Sequence, residues 1–275
     1  MLKQRVLVAL ILLPIGVALI FVGGLAYLAM VAFFMAAAVW EYAHLFTAIG
    51  RRPARFLMVG AALVWMIARY VWGFQADAFV LTAVTLVLMV YHLWDYEHQS
   101  AKAPQSGVDF AVSLSGVVYL GFLGAYMVSL RQLPAGAWWV LLALPVIWIA
   151  DSGAYFVGRA WGKHKLSPRL SPKKTWEGYL AGVLTGTIAG AVLAWVYPLL
   201  AGQAIAGMTP FEGAVLGLLI SALAPLGDLG ESMFKRQAGV KDSGHLLPGH
   251  GGAFDRVDSW LWAGVLAYYF VLFVT

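Results

Sequence analysis

The sequence predicts an all-α, polytopic integral membrane protein with about nine transmembrane helices and a cytoplasmic N-terminus. First, 62% of the residues are hydrophobic and 11% are charged, whereas soluble domains carry roughly a quarter charged residues. Second, apolar runs recur at about the 20 residues that a helix needs to cross a bilayer. Third, Lys and Arg are concentrated in alternate loops. Helices are predicted rather than barrel strands because the runs lack an alternating pattern.

The apolar runs divide the chain into spans with short connections. They lie at about 6–22, 24–41, 56–73, 76–93, 108–130, 137–157, 176–200, 211–230 and 257–275. Between the first two runs, Gly23 and Gly24 predict a tight helical hairpin. Lys3 and Arg5 before the first run would also fit a cleaved signal peptide, but the further spans favour a membrane helix.

The distribution of Lys and Arg predicts the orientation, because cytoplasmic loops carry the positive excess. A cytoplasmic N-terminus places all 18 Lys and Arg residues on the cytoplasmic side, except Arg69 and Arg131. Topology in the inner membrane thus explains the net charge of +5, and no nucleic-acid partner is expected. The absence of cysteine excludes disulfides, thiolate metal sites and cysteine nucleophiles.

Two regions differ in their polar content. Residues 1–110 are predicted to be transmembrane scaffold, and residues 111–275 a catalytic region with loops on the cytoplasmic face. In the first region, the loop at about 94–109 could be called a metal site, but solvated loops commonly have this composition, which favours the second interpretation. Its charged residues and histidine are Asp95, Glu97, His98, Lys102 and Asp109.

From residue 137 onward, acids lie near the inner ends of the helices. Asp151 is predicted to lie inside a span, where a carboxylate is costly unless it meets a cation, water or a cavity; a structural hydrogen bond is the alternative. The basic loop that follows ends at Ser171 and Pro172, which suit an N-cap and a first helical residue. Lys173 and Lys174 would then lie at a helix N-terminus that favours phosphate, although topology alone also explains their charge.

Glycines in the seventh span have a regular spacing. Gly182, Gly186 and Gly190 are four residues apart, so their helix can approach a neighbour closely. The neighbour is either another helix of the same chain or the equivalent helix of a homodimer.

The carboxylates of the last two spans share helix faces near the same predicted surface. Asp228 and Glu231 are three residues apart, as are Asp255 and Asp258. Oxygen ligands without cysteine indicate a hard cation such as magnesium. Adjacent Lys and Arg indicate phosphate groups, so the pattern is typical of phosphoryl or nucleotidyl transfer. The glycines of the stretch 248–252 would let backbone N–H groups approach a phosphate.

The segment from Ser232 to Asp258 resembles the signature of the phosphatidate cytidylyltransferases, also called CDP-diacylglycerol synthases. The matching residues are Ser232, Lys235, Arg236, Lys241, Asp242, Gly244, Leu247, Pro248, His250, Gly251, Gly252, Asp255, Arg256 and Asp258. Residues 151–159 and 171–178 are also similar to that family, whereas the N-terminal half matches only in being apolar. Ala253 departs from the pattern, since the family usually has a larger aliphatic residue at this packing position.

The resemblance implies that the protein transfers CMP from CTP to phosphatidic acid in the bilayer, with magnesium. Asp228 and Asp255 would bind the metal, with a second cation nearby, and Asp151 and Asp258 would be further or water-mediated ligands. With Asp228 and Asp255, the catalytic residues would include Lys174 and Arg256. The residues expected to bind substrate are Lys173, Lys174, Ser232, Lys235, Arg236, Lys241, His250, Gly251 and Gly252.

Three alternatives stay open from the sequence. A CTP-dependent synthase for ether lipids and a polyprenol kinase are enzymes of related chemistry. A transporter is disfavoured because the acids gather at one predicted surface instead of crossing the membrane.

His250 is expected to donate to a phosphate or to have a structural role in its glycine-rich loop.

Overall fold

The computed structural model describes residues 2–98, 105–201, 208–244 and 251–274, and they are predominantly helical. The helices are α1 Leu2–Val22, α2 Gly24–Ala48, α3 Arg55–Trp72, α4 Asp77–His98, α5 Ser106–Gly116, α6 Leu123–Gln132, α7 Gly136–Trp161, α8 Trp176–Ala201, α9 Pro210–Leu223, α10 Pro225–Gln237 and α11 Phe254–Val274. Two short strands, β1 Lys165–Ser167 and β2 Ser171–Thr175, form an antiparallel hairpin between α7 and α8.

Seven helical stretches of the described residues are long and apolar enough to cross a membrane, which confirms the polytopic α-helical class. They are Gly24–Ala48, Arg55–His98, Ser106–Gln132, Gly136–Trp161, Trp176–Leu200, Pro210–Gln237 and Phe254–Val274. The second stretch contains α3 and α4, which a 3₁₀ turn at Gly73–Ala76 separates where the sequence predicts a boundary between spans. The count of nine and the cytoplasmic N-terminus stay predictions.

The predicted hairpin between the first two helices is confirmed. α1 ends at Val22 and α2 begins at Gly24, with backbone φ angles of 65° at Gly23 and 55° at Gly24. Only glycine adopts such positive angles without steric cost. The direct succession of two glycines therefore reverses the chain without a longer loop.

The chain divides into two compact units. The first unit consists of Met1–Ser129 and Phe234–Val257, and the second of Leu130–Met233 and Asp258–Thr275. The predicted division at residue 110 concerns function and stays a prediction.

The first unit has an apolar core between α2 and α3, in which Met35, Met58 and Trp65 are buried. A buried ion pair lies in the same unit. The guanidinium of Arg69 donates to both carboxylate oxygens of Asp77, at 3.1 and 2.5 Å.

The interpretation of residues 94–109 as a solvated loop is wrong for two of its acids. Asp95 and Asp109 are buried, and Asp95 accepts from Arg52 at 3.1 Å and from Ser106 at 3.3 Å. The composition of the segment suggested solvent exposure, but the ends of α4 and α5 pack together and enclose these groups. Glu97 and His98 are exposed as expected, and Lys102 lies outside the described residues.

The second unit is held together by close packing of α7, α8 and α9. A Cβ atom at Gly186 would lie 2.5 Å from the Cβ of Ser221, and one at Gly190 would lie 2.1 Å from the carbonyl oxygen of Gly213. The glycines of α8 thus allow close packing within the chain, which confirms the first of the two interpretations of their spacing.

The predicted helix N-terminus at Ser171 is wrong. Residues Ser171–Thr175 form β2, with Ser171 paired to Ser167 and Thr175 to Lys165, and α8 begins at Trp176. The side chain of Thr175 caps α8 instead, since its Oγ1 accepts from the backbone N–H of Gly178 at 3.2 Å. Ser-Pro suits a strand edge as well as a helix start, and pairing with β1 decides between them.

Candidate active site

Three carboxylates converge in the second unit. Asp228 and Glu231 lie one turn apart on α10, and Asp258 lies on α11. Each offers an oxygen within 4.8 Å of the others. Glu231 and Asp258 are buried, at 1% and 8% exposure, whereas Asp228 is half-buried. Negative charges this close repel one another, and a cation bound between them would relieve the repulsion.

The approach of α10 to α11 depends on Gly227, the residue before Asp228. A Cβ atom at this position would lie 2.3 Å from the carbonyl oxygen of Asp258. A larger residue would therefore separate Asp228 from Asp258. The hydroxyl of Ser232 lies 3.4 Å from Oδ1 of Asp228 and adds a weak donor to the group.

Lys174 connects the β-hairpin with the carboxylates of the second unit. Its Nζ forms an ion pair with Oδ2 of Asp228, and both side chains are partly exposed. Lys174 lies on β2, whose following residue, Thr175, is buried and caps α8. The hairpin therefore gives Lys174 a defined position, although the helix N-terminus predicted for it is absent.

A cavity of about 580 Å³ in the second unit adjoins this ion pair. Its charged lining is mostly basic, with the carboxylate of Asp151 as the acidic member; the charged residues are Asp151, Arg159, Lys165, Lys173 and Lys174. The hydroxyl of Tyr155 accepts from the guanidinium of Arg159 at 3.0 Å. Four cations around one cavity favour an anionic ligand with several phosphate oxygens.

A second group of charged residues lies in the first unit and centres on Asp255. Its Oδ1 accepts from Nζ of Lys235 at 2.5 Å, and its Oδ2 accepts from the backbone N–H groups of Ser243 and Gly252 at 3.0 and 2.9 Å. The hydroxyl of Ser243 lies 2.9 Å from the same Oδ2. The side chains of Lys235 and Asp255 are 10% and 8% exposed, so this carboxylate is firmly held.

A carboxylate that the sequence did not indicate completes this group. Glu41 of α2 is buried and accepts from the backbone N–H groups of Ala253 and Phe254 and from the hydroxyl of Ser243, each at 2.9 Å. The predicted second span stops at residue 41, which placed Glu41 at a helix end. The helix in fact continues to Ala48, and a charged residue inside a continuous apolar helix is the signal that could have identified it.

The predicted site residues thus form two groups. Asp151, Lys173 and Lys174 line the cavity of the second unit, whose carboxylate cluster unites Asp228 and Asp258 with Glu231. The first unit brings together Lys235, Gly252 and Asp255.

The other predicted binding residues are more peripheral, or their contacts are local. Lys241 and Arg256 are exposed, and Arg236 donates to the carbonyl oxygen of Val240 at 3.2 Å. Gly251 has a φ of 85° and lies beside Asp255. His250 lies outside the described residues.

Comparison with known proteins finds relatives along nearly the whole chain. The model of a family described as the cytidylyltransferase family matches residues 3–274. A phosphatidate cytidylyltransferase of Synechocystis is 35% identical over 300 residues, which cover 98% of this chain and 96% of the relative. The same enzyme of Pseudomonas aeruginosa is 34% identical over 270 residues, covering 94% and 93%. That of Haemophilus influenzae is 45% identical over 140 residues, covering 50% and 47%.

Proposed function

The chain belongs to the cytidylyltransferase family, and from this premise we propose that it transfers CMP from CTP to phosphatidic acid. The products are CDP-diacylglycerol and pyrophosphate. The observation that carries the proposal is the meeting of acid and base in the second unit, where Lys174 on the wall of a basic cavity forms an ion pair with Asp228 of the carboxylate cluster.

The carboxylate cluster fits a divalent cation. Asp228, Glu231 and Asp258 offer oxygen atoms close together, which suits magnesium. Glu231 and Asp258 are buried, and Asp228 lies next to Lys174, so a bound nucleotide would meet both the metal and a lysine. Magnesium would neutralise the phosphate charge that grows during transfer.

The resemblance also assigns Asp255 and, as a further ligand, Asp151 to metal binding, and both assignments stay proposals. Asp255 accepts from Lys235 through Oδ1, and exchanging this ammonium for a cation would keep the carboxylate paired. Asp151 lies on the cavity wall, where it could bind a cation through water. A second cation near Asp255 belongs to the same proposal.

The roles of the basic residues follow from the reaction. A phosphate oxygen of phosphatidic acid forms a bond with the α-phosphorus of CTP, while the bond from that phosphorus to the bridging oxygen of pyrophosphate breaks. The nucleophile is already an anion, so no protein base must remove a proton. Lys173, Lys174 and Arg159 would hold the phosphates of the two anionic substrates close together despite their repulsion.

The protein is a multi-pass membrane protein, and we propose that its active site faces the cytoplasm across the inner membrane. The predicted orientation supports this, since CTP is a cytosolic nucleotide and the basic hairpin belongs to the positive side. The cysteine-free chain allows a direct test with Arg169→Cys in the exposed turn of the hairpin. A membrane-impermeant thiol reagent should label it in inverted vesicles; labelling only in intact, right-side-out vesicles would contradict the orientation.

A homodimer is also proposed, and the molecular mass of the purified protein in detergent tests it. Because α9 covers Gly190 and Ser221 covers Gly186, the dimer would use a surface other than this glycine ridge.

The decisive experiment incubates the purified protein with CTP, magnesium and phosphatidic acid and detects CDP-diacylglycerol and pyrophosphate. Equimolar formation of both products is expected. Parallel reactions contain an ether-lipid phosphate or a polyprenol as acceptor. Reaction with polyprenol alone, or a product that is phosphorylated without CMP, would overturn the proposed reaction.

A further inference from the structure

The start of α11 lacks a capping side chain of its own. Ala253 precedes the first helical residue, Phe254, and alanine cannot accept a hydrogen bond from the first turn as Ser, Thr, Asp or Asn would. The backbone N–H groups of Ala253 and Phe254 are nevertheless bonded, because each donates to a carboxylate oxygen of Glu41 at 2.9 Å. A residue of α2 therefore caps α11 across more than 200 positions of sequence.

This cap is electrostatically favourable despite its cost. Glu41 is the one charged residue of α2 and is 8% exposed, and an ionised side chain within a membrane span is expensive unless it is paired. The positive end of the α11 dipole and three donors meet it there. A position that is costly for a carboxylate is thus used to fix one particular segment of the chain.

Two glycines of the signature segment leave room for this carboxylate because they have no side chain. A Cβ atom at Gly244 would lie 2.4 Å from Oε1 of Glu41, and one at Gly252 would lie 2.2 Å from Oε2. The sequence predicted that the glycines of residues 248–252 let backbone N–H groups approach a phosphate. At Gly252, and also at Gly244, the group that approaches closely is the carboxylate of Glu41.

Ser243 links Glu41 to Asp255. Its hydroxyl oxygen lies 2.9 Å from Oε2 of Glu41 and 2.9 Å from Oδ2 of Asp255. Its backbone N–H and that of Gly252 donate to Asp255. Moving Glu41 would therefore release Ser243, which contacts Asp255, and Ala253, which follows the second donor to Asp255, Gly252.

We propose that Glu41 is a positioning residue for the transfer reaction. It fixes residues 243–244 and 252–254 and, through Ser243 and the first turn of α11, the orientation of the Asp255 carboxylate. Glu41 acts through other residues and does not contact the substrates. The inference rests on the proposed function, since it assigns Asp255 to the metal-binding machinery of that reaction.

The test compares Glu41→Gln and Glu41→Asp with the unmodified protein. Gln replaces one acceptor oxygen by an amide that donates, so one of the three donors loses its partner. We expect Glu41→Gln to lower kcat by about 10- to 100-fold, to raise the magnesium concentration at half-maximal rate, and to change the KM for CTP by less. Glu41→Asp keeps both oxygens and should recover part of kcat.

A matched control lies on the same helix. The hydroxyl of Tyr27 donates to the carbonyl oxygen of Met127 at 3.2 Å, so Tyr27→Phe removes a buried hydrogen bond of α2 away from the signature segment. It should leave kcat and the magnesium dependence unchanged. If Glu41→Gln affected only thermal stability, as a general packing defect would, the proposed role would be refuted.

Hydrogen exchange gives a readout that does not depend on activity. In Glu41→Gln, amide exchange should accelerate in peptides that contain Ala253 and Phe254, and Tyr27→Phe should show no such change. Unchanged exchange at these amides would overturn the inference even if activity fell. A third outcome is that the unmodified protein has no transferase activity while Glu41→Gln still accelerates exchange at these amides. That result would refute the proposed function but support the role of Glu41 as a cap.

A double-mutant cycle tests the link through Ser243. If Glu41 acts through this hydroxyl, Ser243→Ala should lower kcat, and combining it with Glu41→Gln should lower kcat by less than the product of the two separate effects. Effects that multiply independently would contradict a route through Ser243.

Discussion

The two units surround their carboxylates with different groups. In the first unit, Glu41 and Asp255 accept hydrogen bonds from backbone N–H groups, Ser243 and Lys235, so each has fixed partners within the protein. In the second unit, Asp228, Glu231 and Asp258 offer oxygens within 4.8 Å of one another, in addition to the contacts of Asp228 with Lys174 and of Asp258 with the backbone N–H of Ser259. Protein donors therefore surround the carboxylates of the first unit, whereas three carboxylates of the second unit lie close enough together to share the cation that we propose there.

The role of a buried acid depends on the groups that donate to it. Backbone N–H groups and a lysine hold Asp255 in one orientation, and this suits a group whose position must be exact. Carboxylates that converge repel one another, and a divalent cation bound between them would relieve the repulsion of all three at once. The comparison makes predictions that differ between the units.

The largest loss of activity is expected for a variant of the carboxylate cluster in the second unit. Asp228→Ala should reduce CMP transfer by at least about 1,000-fold, because it removes both a proposed metal ligand and the partner of Lys174. The rate of CDP-diacylglycerol formation by purified variants measures this. Glu97→Gln, at an exposed carboxylate of α4, is the matched control and should keep full activity. Near-normal activity of Asp228→Ala would exclude it from the metal site.

Removing the lysine of each ion pair should lower the free energy of unfolding by different amounts in the two units. Lys235→Ala leaves the carboxylate of Asp255 without its buried ammonium, and the free energy of unfolding should fall by about 3–5 kcal/mol. Lys174→Ala breaks a partly exposed pair and should lower it by about 1 kcal/mol or less. Denaturant unfolding in detergent micelles measures both. Equal losses would show that the two pairs do not differ as their burial indicates.

Variants of Glu231 and Asp151 distinguish two candidate sets of metal ligands. One is the carboxylate cluster of the second unit, and the other is the set that the family resemblance implies. Glu231 lies in the convergent group, whereas Asp151 lies on the cavity wall. Glu231→Gln should raise the magnesium concentration at half-maximal rate by about 10- to 100-fold, and Asp151→Asn should raise it less. Magnesium titrations of the initial rate decide the order, and the reverse order would move the metal toward Asp151.

The smallest effect is expected for a helix cap that lies outside both groups of charged residues. Thr209 and Glu212 form a reciprocal capping box at the start of α9. Thr209→Ala should lower the free energy of unfolding by about 1 kcal/mol and leave kcat unchanged. An activity loss larger than the loss of stability would mean that the start of α9 contributes to the reaction.

Much of the fold was predictable because membrane spans depend on local composition. The hairpin at Gly23 and the boundary near Gly73 follow from short sequence signals, since a run of apolar residues must cross the bilayer as a helix wherever it lies. The proximity of Asp228 and Asp258 was partly predictable from the sequence. Helical periodicity indicates which acids share a helix face, and topology indicates which helix ends lie at the same membrane surface.

Other features needed the tertiary structure. Ser171 and Pro172 fit a helix start and a strand edge equally well, and only pairing with β1 assigns them to a strand. Asp95 has the sequence context of a solvated loop but is buried beside Arg52 and Ser106. Local sequence cannot decide burial, because burial depends on which elements pack over a residue.

By itself, the sequence determined the membrane class, the resemblance in the signature segment and the kind of chemistry that its acids and bases support. The tertiary structure alone decided which acids converge and which protein donors each acid meets. Glu41 is the clearest case, because its partners lie 202 to 213 positions away. A hydrogen bond depends on distance in space, and only the folding of the chain brings Glu41 of α2 within reach of Ser243, Ala253 and Phe254.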